Sequence, residues 1–151
     1  MSYLLNTPAS TLTGTTTNDS AAAGYVGQII SSLVASGSAV SLTTATVANV
    51  TSISLTAGDW DVQANVNVTL SNATATASSS GINTTSATIP TDGSEVFNGQ
   101  QTTTLSASLS TTIPRKRISV ASTTTVYLCT KSTFSLGSVS AFGGITARRV
   151  R

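Results

Sequence analysis

The stretch that decides the fold is DWDVQANVNVTL, residues 59–70, in which apolar and polar side chains alternate at every position. A period of two is that of a β-strand, because successive side chains of an extended chain point to opposite faces. One face would carry Trp60, Val62, Ala64, Val66, Val68 and Leu70, and the other Asp59, Asp61, Gln63, Asn65, Asn67 and Thr69. A strand with one apolar and one wet face is typical of antiparallel sandwiches and barrels. We therefore predict an all-β protein with a core that includes Trp60, Val62, Val66 and Val68.

Composition indicates a folded chain whose surface is hydrated by hydroxyl groups. Ser and Thr make up 54 of the 151 residues, whereas Lys, Arg, Asp and Glu make up 12, and His is absent. Low charge is compatible with disorder, but Val, Ile and Leu recur regularly and can supply a core. The length is that of one domain. The single cysteine, Cys129, has no partner for an intrachain disulfide and is interpreted as a small buried hydrophobic residue.

Residues 1–24 differ from the rest of the chain. A short apolar start, Tyr3-Leu4-Leu5, precedes Pro8 and then a run of Ser, Thr, Gly and Ala without periodicity. This segment is interpreted as an arm, either a floppy terminus or an anchor that orders against a partner. Tyr3, Leu4, Leu5 and Pro8 are its candidate attachment residues. No apolar stretch reaches the ~20 residues that span a membrane, and no basic segment precedes a long apolar run, so neither membrane insertion nor signal-directed secretion is predicted.

From Tyr25 to Arg151 the pattern predicts a head domain of about eight to ten short strands without a helix. The expected strands are residues 25–34, 39–44, 47–55, 59–70, 82–89, 102–112, 117–121, 124–134 and 138–149. Pro114 is expected to close one of them, because proline cannot donate to a sheet ladder. Residues 71–80 and 91–101 are expected to be loops. A series of this kind favours an antiparallel double-sheet jelly roll.

Residues for catalysis are scarce. Asp59 and Asp61 share a strand face and could hold a cation or cleave a glycosidic bond, but two solvated carboxylates on a wet face is the simpler interpretation. No phosphate-binding loop, dinucleotide fingerprint or zinc spacing occurs. We therefore expect neither an enzyme nor a cofactor.

Positive charge is concentrated in two clusters, at residues 115–117 and 148–151. No aromatic residues lie beside them, so nucleic-acid binding is not expected. Two interpretations stay open for these clusters. They are either solvated strand ends or electrostatic contacts with a neighbouring subunit.

Five segments of the head resemble a group of tailed-bacteriophage virion proteins. They are VSLTT (40–44), VTSISLTAGDWDV (50–62), INTTSAT (82–88), ISVASTTTVYL (118–128) and ARRVR (147–151). The group includes small head-fibre or decoration proteins and tail-fibre tips. The resemblance covers about residues 25–151 and implies a homotrimeric jelly roll similar to tumour-necrosis-factor and complement heads. It also implies a location on the virion surface, after synthesis in the cytoplasm of the bacterial host.

Two functions follow from the resemblance. In the first, the protein is a structural knob that binds the phage capsid or a tail protein through its arm, with subunit contacts at Tyr127, Phe134, Phe142, Arg148 and Arg149. In the second, it is the receptor- or glycan-binding tip of a tail fibre. The host-surface residues would then be Asp92, Glu95, Phe97 and Asn98, since loops at one end of a sandwich are natural recognition sites.

Overall fold

A computed structural model describes residue 17, residues 19–98 and residues 105–151. This part of the chain contains eight strands, paired antiparallel throughout, and one short 3-10 turn at Ser36–Ser38. The strands are β1 Ile29–Val34, β2 Val40–Ser41, β3 Val47–Leu55, β4 Gly58–Asn83, β5 Val96–Asn98, β6 Leu105–Val120, β7 Thr124–Ser135 and β8 Ser138–Arg149. The prediction of an all-antiparallel β fold is confirmed.

Strand β4 belongs to two sheets. Its first half lies between β6 and β8 in sheet A, where β1 and β2 also pair with β8. Its second half lies between β5 and β7 in sheet B, where β3 pairs with β7. The chain changes sheet at Ser71 and Asn72, where the register with β6 shifts and Asn72 has a φ of 50°. Asparagine tolerates this left-handed conformation better than most residues, so it suits the bend.

The core lies between the two sheets and draws on both. On β4, the four side chains Trp60, Val62, Val66 and Val68 are all fully buried. Sheet B contributes Leu55, Val126 and Leu128, which are fully buried as well. Alternation along 59–70 therefore corresponds to one face against the core and one face outward.

Part of the interior is built from hydroxyl groups. Ser78, Ser80, Thr130 and Ser132 are buried on β4 and β7, where they pair across the strands. The Oγ atoms of Ser78 and Ser132 lie 2.9 Å apart, as do Ser80 Oγ and Thr130 Oγ1. Pairing satisfies groups that would otherwise be costly to bury. The prediction of a surface loop at residues 71–80 is therefore wrong, because this segment is the second half of β4.

Pro114 does not end a strand. The described part of the expected strand at 102–112 and the expected strand at 117–121 form one strand, β6, which continues through Pro114. Residues 102–104 lie outside the described residues. The register of β6 against β4 moves from Lys116 to Ile113 while β4 advances from Val62 to Ala64, so Pro114 lies in a bulge. β6 pairs only with β4 among the described residues, and proline is tolerated at bulges of edge strands because no ladder donor is needed there.

Four other boundaries differ from the predictions. The expected strand at 39–44 is confined to β2, Val40–Ser41. The expected strand at 25–34 begins at Ile29, after a turn in which Gln28 N–H donates to Tyr25 O at 3.1 Å. The expected strand at 82–89 is absent, because β4 ends at Asn83 and the following loop turns back along sheet B. Within that loop Ala87 N–H donates to Asn49 Oδ1 at 2.8 Å. The short strand β5 occupies part of the expected loop at 91–101.

Cys129 lies under the loop that follows β4. Its side chain is fully buried, and its thiol donates to Asn49 Oδ1 at 3.3 Å. Burial raises the pKa of the Cys129 thiol, and a raised pKa disfavours the reactive thiolate. The position is that of a packing residue.

Candidate functional site

The first strand begins and the last strand ends at the same end of the sandwich, where the predicted arm joins the head. Gly27 N–H donates to Arg149 O, and Arg149 N–H donates to Gln28 O, both at 2.9 Å. Ser20 Oγ accepts from Ile29 N–H at 3.3 Å, and Gln28 Oε1 accepts from Gly24 N–H at 2.8 Å. Residues 20 and 24 of the predicted arm are therefore held against the head. We call residues 20–28 together with 149–151 the arm junction.

Arg149 is the central side chain of the arm junction. Only 6% of it is exposed, and its guanidinium lies 4.3 Å from the centre of the Trp60 ring. It donates to Ala57 O at 2.9 Å, to Gln28 Oε1 at 3.2 Å and to Thr56 Oγ1. A guanidinium satisfied in this way packs like a core group. The prediction that Arg149 contacts another subunit is therefore not supported, because its donors are used within its own chain.

Asp59 binds the end of the chain to the sandwich. Its side chain is 7% exposed and forms ion pairs with Arg151 and, at 2.8 Å, with Arg117. Its backbone carbonyl accepts from Val150 N–H at 3.0 Å. Hydrogen bonds from Arg151, Ser119 and Arg117 hold the pKa of the Asp59 carboxyl well below its usual range. The interpretation of Asp59 as a solvated carboxylate is wrong.

The acid sensitivity of the fold is expected to depend on Asp59. Because its pKa is lower in the folded chain than in the unfolded chain, its stabilising contribution is complete above the unfolded value of about 3.9 and is lost as the pH falls through the folded value. Asp59→Asn should remove this dependence. Urea midpoints of the two proteins should differ by a constant amount between about pH 5 and 7 and should begin to converge only as the pH falls below about 4.

Asp61→Asn is the matched control on the same strand. Asp61 pairs with an Arg115 side chain that is 69% exposed, and such pairs are weakened by solvent. The control should therefore show a smaller loss of stability at neutral pH. A wild-type acid transition that Asp59→Asn leaves unaltered would contradict the role of Asp59.

The basic triplet at 115–117 is neutralised within the chain. Arg115 pairs with Asp61 at 3.2 Å, Lys116 with Asp92 at 2.6 Å and Arg117 with Asp59 at 2.8 Å. Asp59 and Asp61 are thus each held by an arginine of this triplet. No group of three His, Cys, Asp or Glu residues that could hold a metal ion occurs within residues 19–98 and 105–151.

Two of the predicted host-surface residues, Asp92 and Glu95, line one hollow of about 280 Å³ together with Lys116. Asp92 is bound by Lys116 and Ser94, whose hydrogen bonds hold its pKa well below the usual range. Phe97 is 70% exposed on β5. Glu95 is half-buried, and its Oε2 is buried without a hydrogen-bond partner in the described structure. Asn98 ends β5, and its side chain lies outside the described part.

The predicted subunit contacts are spread over different surfaces. Tyr127 lies between the buried Val126 and Leu128, so it is on the outer face of sheet B. Phe134 packs against the core. Phe142 alternates with buried residues of β8 and faces outward on sheet A. The candidate attachment residues Tyr3, Leu4, Leu5 and Pro8 lie outside the described residues.

An exposed apolar strip at the arm junction was missed by the sequence reasoning. Among the described residues, six large hydrophobic side chains are exposed, and four of these lie within ten residues. The four are Tyr25 (69%), Val26 (64%), Ile29 (52%) and Leu33 (77%). The signal was present in the sequence, since β1 has apolar residues on both of its faces while one face suffices for a core. We call these four side chains the apolar strip.

No protein-family model, curated protein or solved structure matches this chain. Along the part of the chain that the structure describes, none of the helical segments is long and apolar enough to cross a bilayer. The fold and the surfaces define a two-sheet antiparallel β protein. Its apolar strip, basic triplet and arm junction are the features that any functional interpretation must explain.

Proposed function

We propose that the protein is a non-enzymatic structural component of a bacteriophage virion. In this proposal it is a homotrimeric head-fibre or decoration knob that binds the capsid through its N-terminal arm. The observation that carries the proposal is the apolar strip at the arm junction. Single exposed apolar side chains are ordinary on a protein surface, whereas a group of four within ten residues marks a candidate contact site.

The apolar strip supports association between copies of the chain. Ile29 and Leu33 project from the outer face of sheet A, beside Arg148 and Gly144 of β8. Phe142 lies on the same face, next to Asn67 of β4. Packing of the β1 edge of this face against another copy would remove Ile29 and Leu33 from water and leave the surface between β4 and β6 open. This face would then supply a subunit contact for the trimer that the resemblance implies.

The arm junction supports attachment through the N-terminal segment. Ser20, Gly24 and Gln28 are fixed to the end of the sandwich where β8 also ends. The segment that precedes Ser20 therefore joins the head at a fixed point. Three arms on one trimer would also bind together, so that weak individual contacts add up to firm attachment.

Deletion of residues 1–19 is expected to abolish binding to phage particles. This variant keeps Ser20 and Gly24, and with them the hydrogen bonds of the arm junction. The head should therefore remain folded, and its mass in light scattering should remain that of three protomers. Unchanged occupancy on particles, measured by quantitative gel densitometry, would rule out the arm as the anchor.

The same measurements with Leu33→Asp separate association from attachment. A charge in the middle of the apolar strip should reduce the mass to one protomer, because the charged group would have to be desolvated in the contact. Ser54→Asp is the control, since Ser54 is exposed on sheet B. A single-protomer mass for the unmodified chain would overturn the trimer.

The second candidate function is a receptor- or glycan-binding tip. The exposed ring of Phe97 favours it, because an aromatic side chain that is 70% exposed has no role in packing. Purified protein that blocks adsorption of phage to its host cells would favour this function. Binding confined to capsids that lack the protein would favour the structural one.

A further inference from the structure

An open polar groove lies on the outer face of sheet A, between β4, β6 and β8. One hollow of about 220 Å³ is lined by Asp61, Gln63, Arg115, Thr146, Arg148 and Val150. A second hollow of about 190 Å³ is lined by Gln63, Ala64, Asn65, Thr112, Gly144 and Thr146. Because Gln63 and Thr146 line both hollows, the two form one continuous groove.

Two local features of the chain shape this groove. The bulge at Pro114 and Arg115 interrupts the register of β6 against β4, and Arg115 reaches across to Asp61. Bulges commonly redirect a side chain toward a functional surface. On β8, Gly144 lines the second hollow without a side chain of its own, and the end of the Leu33 side chain lies against it.

The groove collects hydrogen-bonding groups that the described structure leaves unused. The side chains of five residues form no hydrogen bond or ion pair with any described residue, namely those of Gln63, Asn65, Thr112, Thr146 and Arg148. Free amide, hydroxyl and guanidinium groups therefore line this groove.

We propose that this groove binds a saccharide that carries a carboxylate, such as a uronic-acid residue of a polysaccharide. The planar guanidinium of Arg148 suits a carboxylate, which it can bind with two parallel hydrogen bonds. The side-chain amides of Gln63 and Asn65 and the hydroxyls of Thr112 and Thr146 can both donate to and accept from sugar hydroxyls. Asp61 can accept from a further hydroxyl while it retains Arg115.

The charges in the groove disfavour a nucleic acid as the ligand. Arg115 is already paired with Asp61, so the groove has a surplus of one positive charge, at Arg148. A phosphodiester chain carries repeated negative charge and would place it against the Asp61 carboxylate. No aromatic side chain lines either hollow, although stacking platforms are usual where single-stranded nucleic acid binds. A saccharide with one carboxylate among its hydroxyl groups fits this charge distribution better.

Titration with sodium glucuronate and with glucose, monitored by NMR chemical shifts, tests the proposal. We expect saturable shifts for glucuronate at groove residues, with glucose binding more weakly. Arg148→Gln should weaken glucuronate binding at least about tenfold and leave the weaker glucose shifts unchanged. Lys131→Gln is the matched control, since Lys131 is a basic residue without a partner in the described structure but lies on β7 of sheet B.

Three outcomes would overturn the proposal. The first is equal binding of glucuronate and glucose, which would remove the role of the carboxylate. The second is an equal effect of Arg148→Gln and Lys131→Gln, which would indicate general attraction of anions. The third is that the unmodified chain shows no chemical-shift change with either saccharide, while Arg148→Gln lowers the mass in light scattering. That result would indicate that the groove is a subunit contact. Because binding and mass are measured separately, failure here leaves the virion proposal standing.

Discussion

Replacement of Trp60 by alanine is expected to lower the free energy of unfolding by about 3–5 kcal/mol. Trp60 is fully buried, and its indole N–H donates to Thr56 O at 3.0 Å. Its ring also lies beneath the guanidinium of Arg149. The substitution leaves a cavity between the sheets and removes the surface on which Arg149 packs. Urea denaturation measures the loss, provided that the slope of free energy against urea is unchanged.

Two variants separate packing from other effects of losing an aromatic ring. Trp60→Phe keeps most of the apolar volume but loses the N–H group, so its cost should be clearly smaller. Phe97→Ala removes an aromatic ring that is 70% exposed and should leave stability within about 0.5 kcal/mol. If Trp60→Ala and Phe97→Ala cost the same, Trp60 is not the centre of the core.

Substitution of Gly143 by alanine is expected to cost about 3 kcal/mol or more. Gly143 has a φ of +148° in the middle of β8, in the range that disfavours other residues. A Cβ there would lie 2.2 Å from Asn65 O and 2.9 Å from Val66 Cα, both of which are backbone atoms of β4. They cannot move without opening the β4–β8 pairing at the centre of sheet A. Thermal unfolding followed by circular dichroism measures the loss.

Gly144→Ala is the control at the adjacent position. Its Cβ would meet Leu33 Cδ1 at 3.1 Å and Ser32 O at 3.2 Å, and its φ lies outside the left-handed range. The end of the exposed Leu33 side chain can move, so the cost should stay below about 1 kcal/mol. A comparable loss in both variants would mean that the contact of Gly143 with β4 is not the cause.

The fold was predictable from sequence wherever hydrophobicity alternates. Residues 59–70 gave both the strand and its buried face. The predicted strand ended at Leu70 because the second half of β4 buries Ser78 and Ser80. Buried serines produce no alternation of hydrophobicity, so this segment was predicted to be a loop. Pro114 was misjudged for a different reason. Whether a proline interrupts a strand depends on which neighbour the strand has on each side, and that is a property of the assembled sheet.

The surfaces were less predictable because they depend on register. Arg148 and Arg149 are adjacent in one basic cluster, yet Arg148 is exposed and Arg149 is buried against Trp60. Alternation along β8 places the two side chains on opposite faces. Because buried arginine is rare, both side chains were nevertheless predicted to lie on the surface. The pairing of residues 115–117 with three separate aspartates likewise requires contacts across strands that a sequence does not specify.

Strand β4 gives the molecule an order of assembly. Its partners β5, β6, β7 and β8 all follow it in the chain. Most hydrogen bonds of this 26-residue strand therefore form only with segments that come later in the sequence. Contacts between distant parts of a sequence slow folding, because chain entropy is lost before they form. Since sheets A and B share this one strand, loss of β4 would disrupt both of them. We therefore expect the sandwich to unfold in a single cooperative transition.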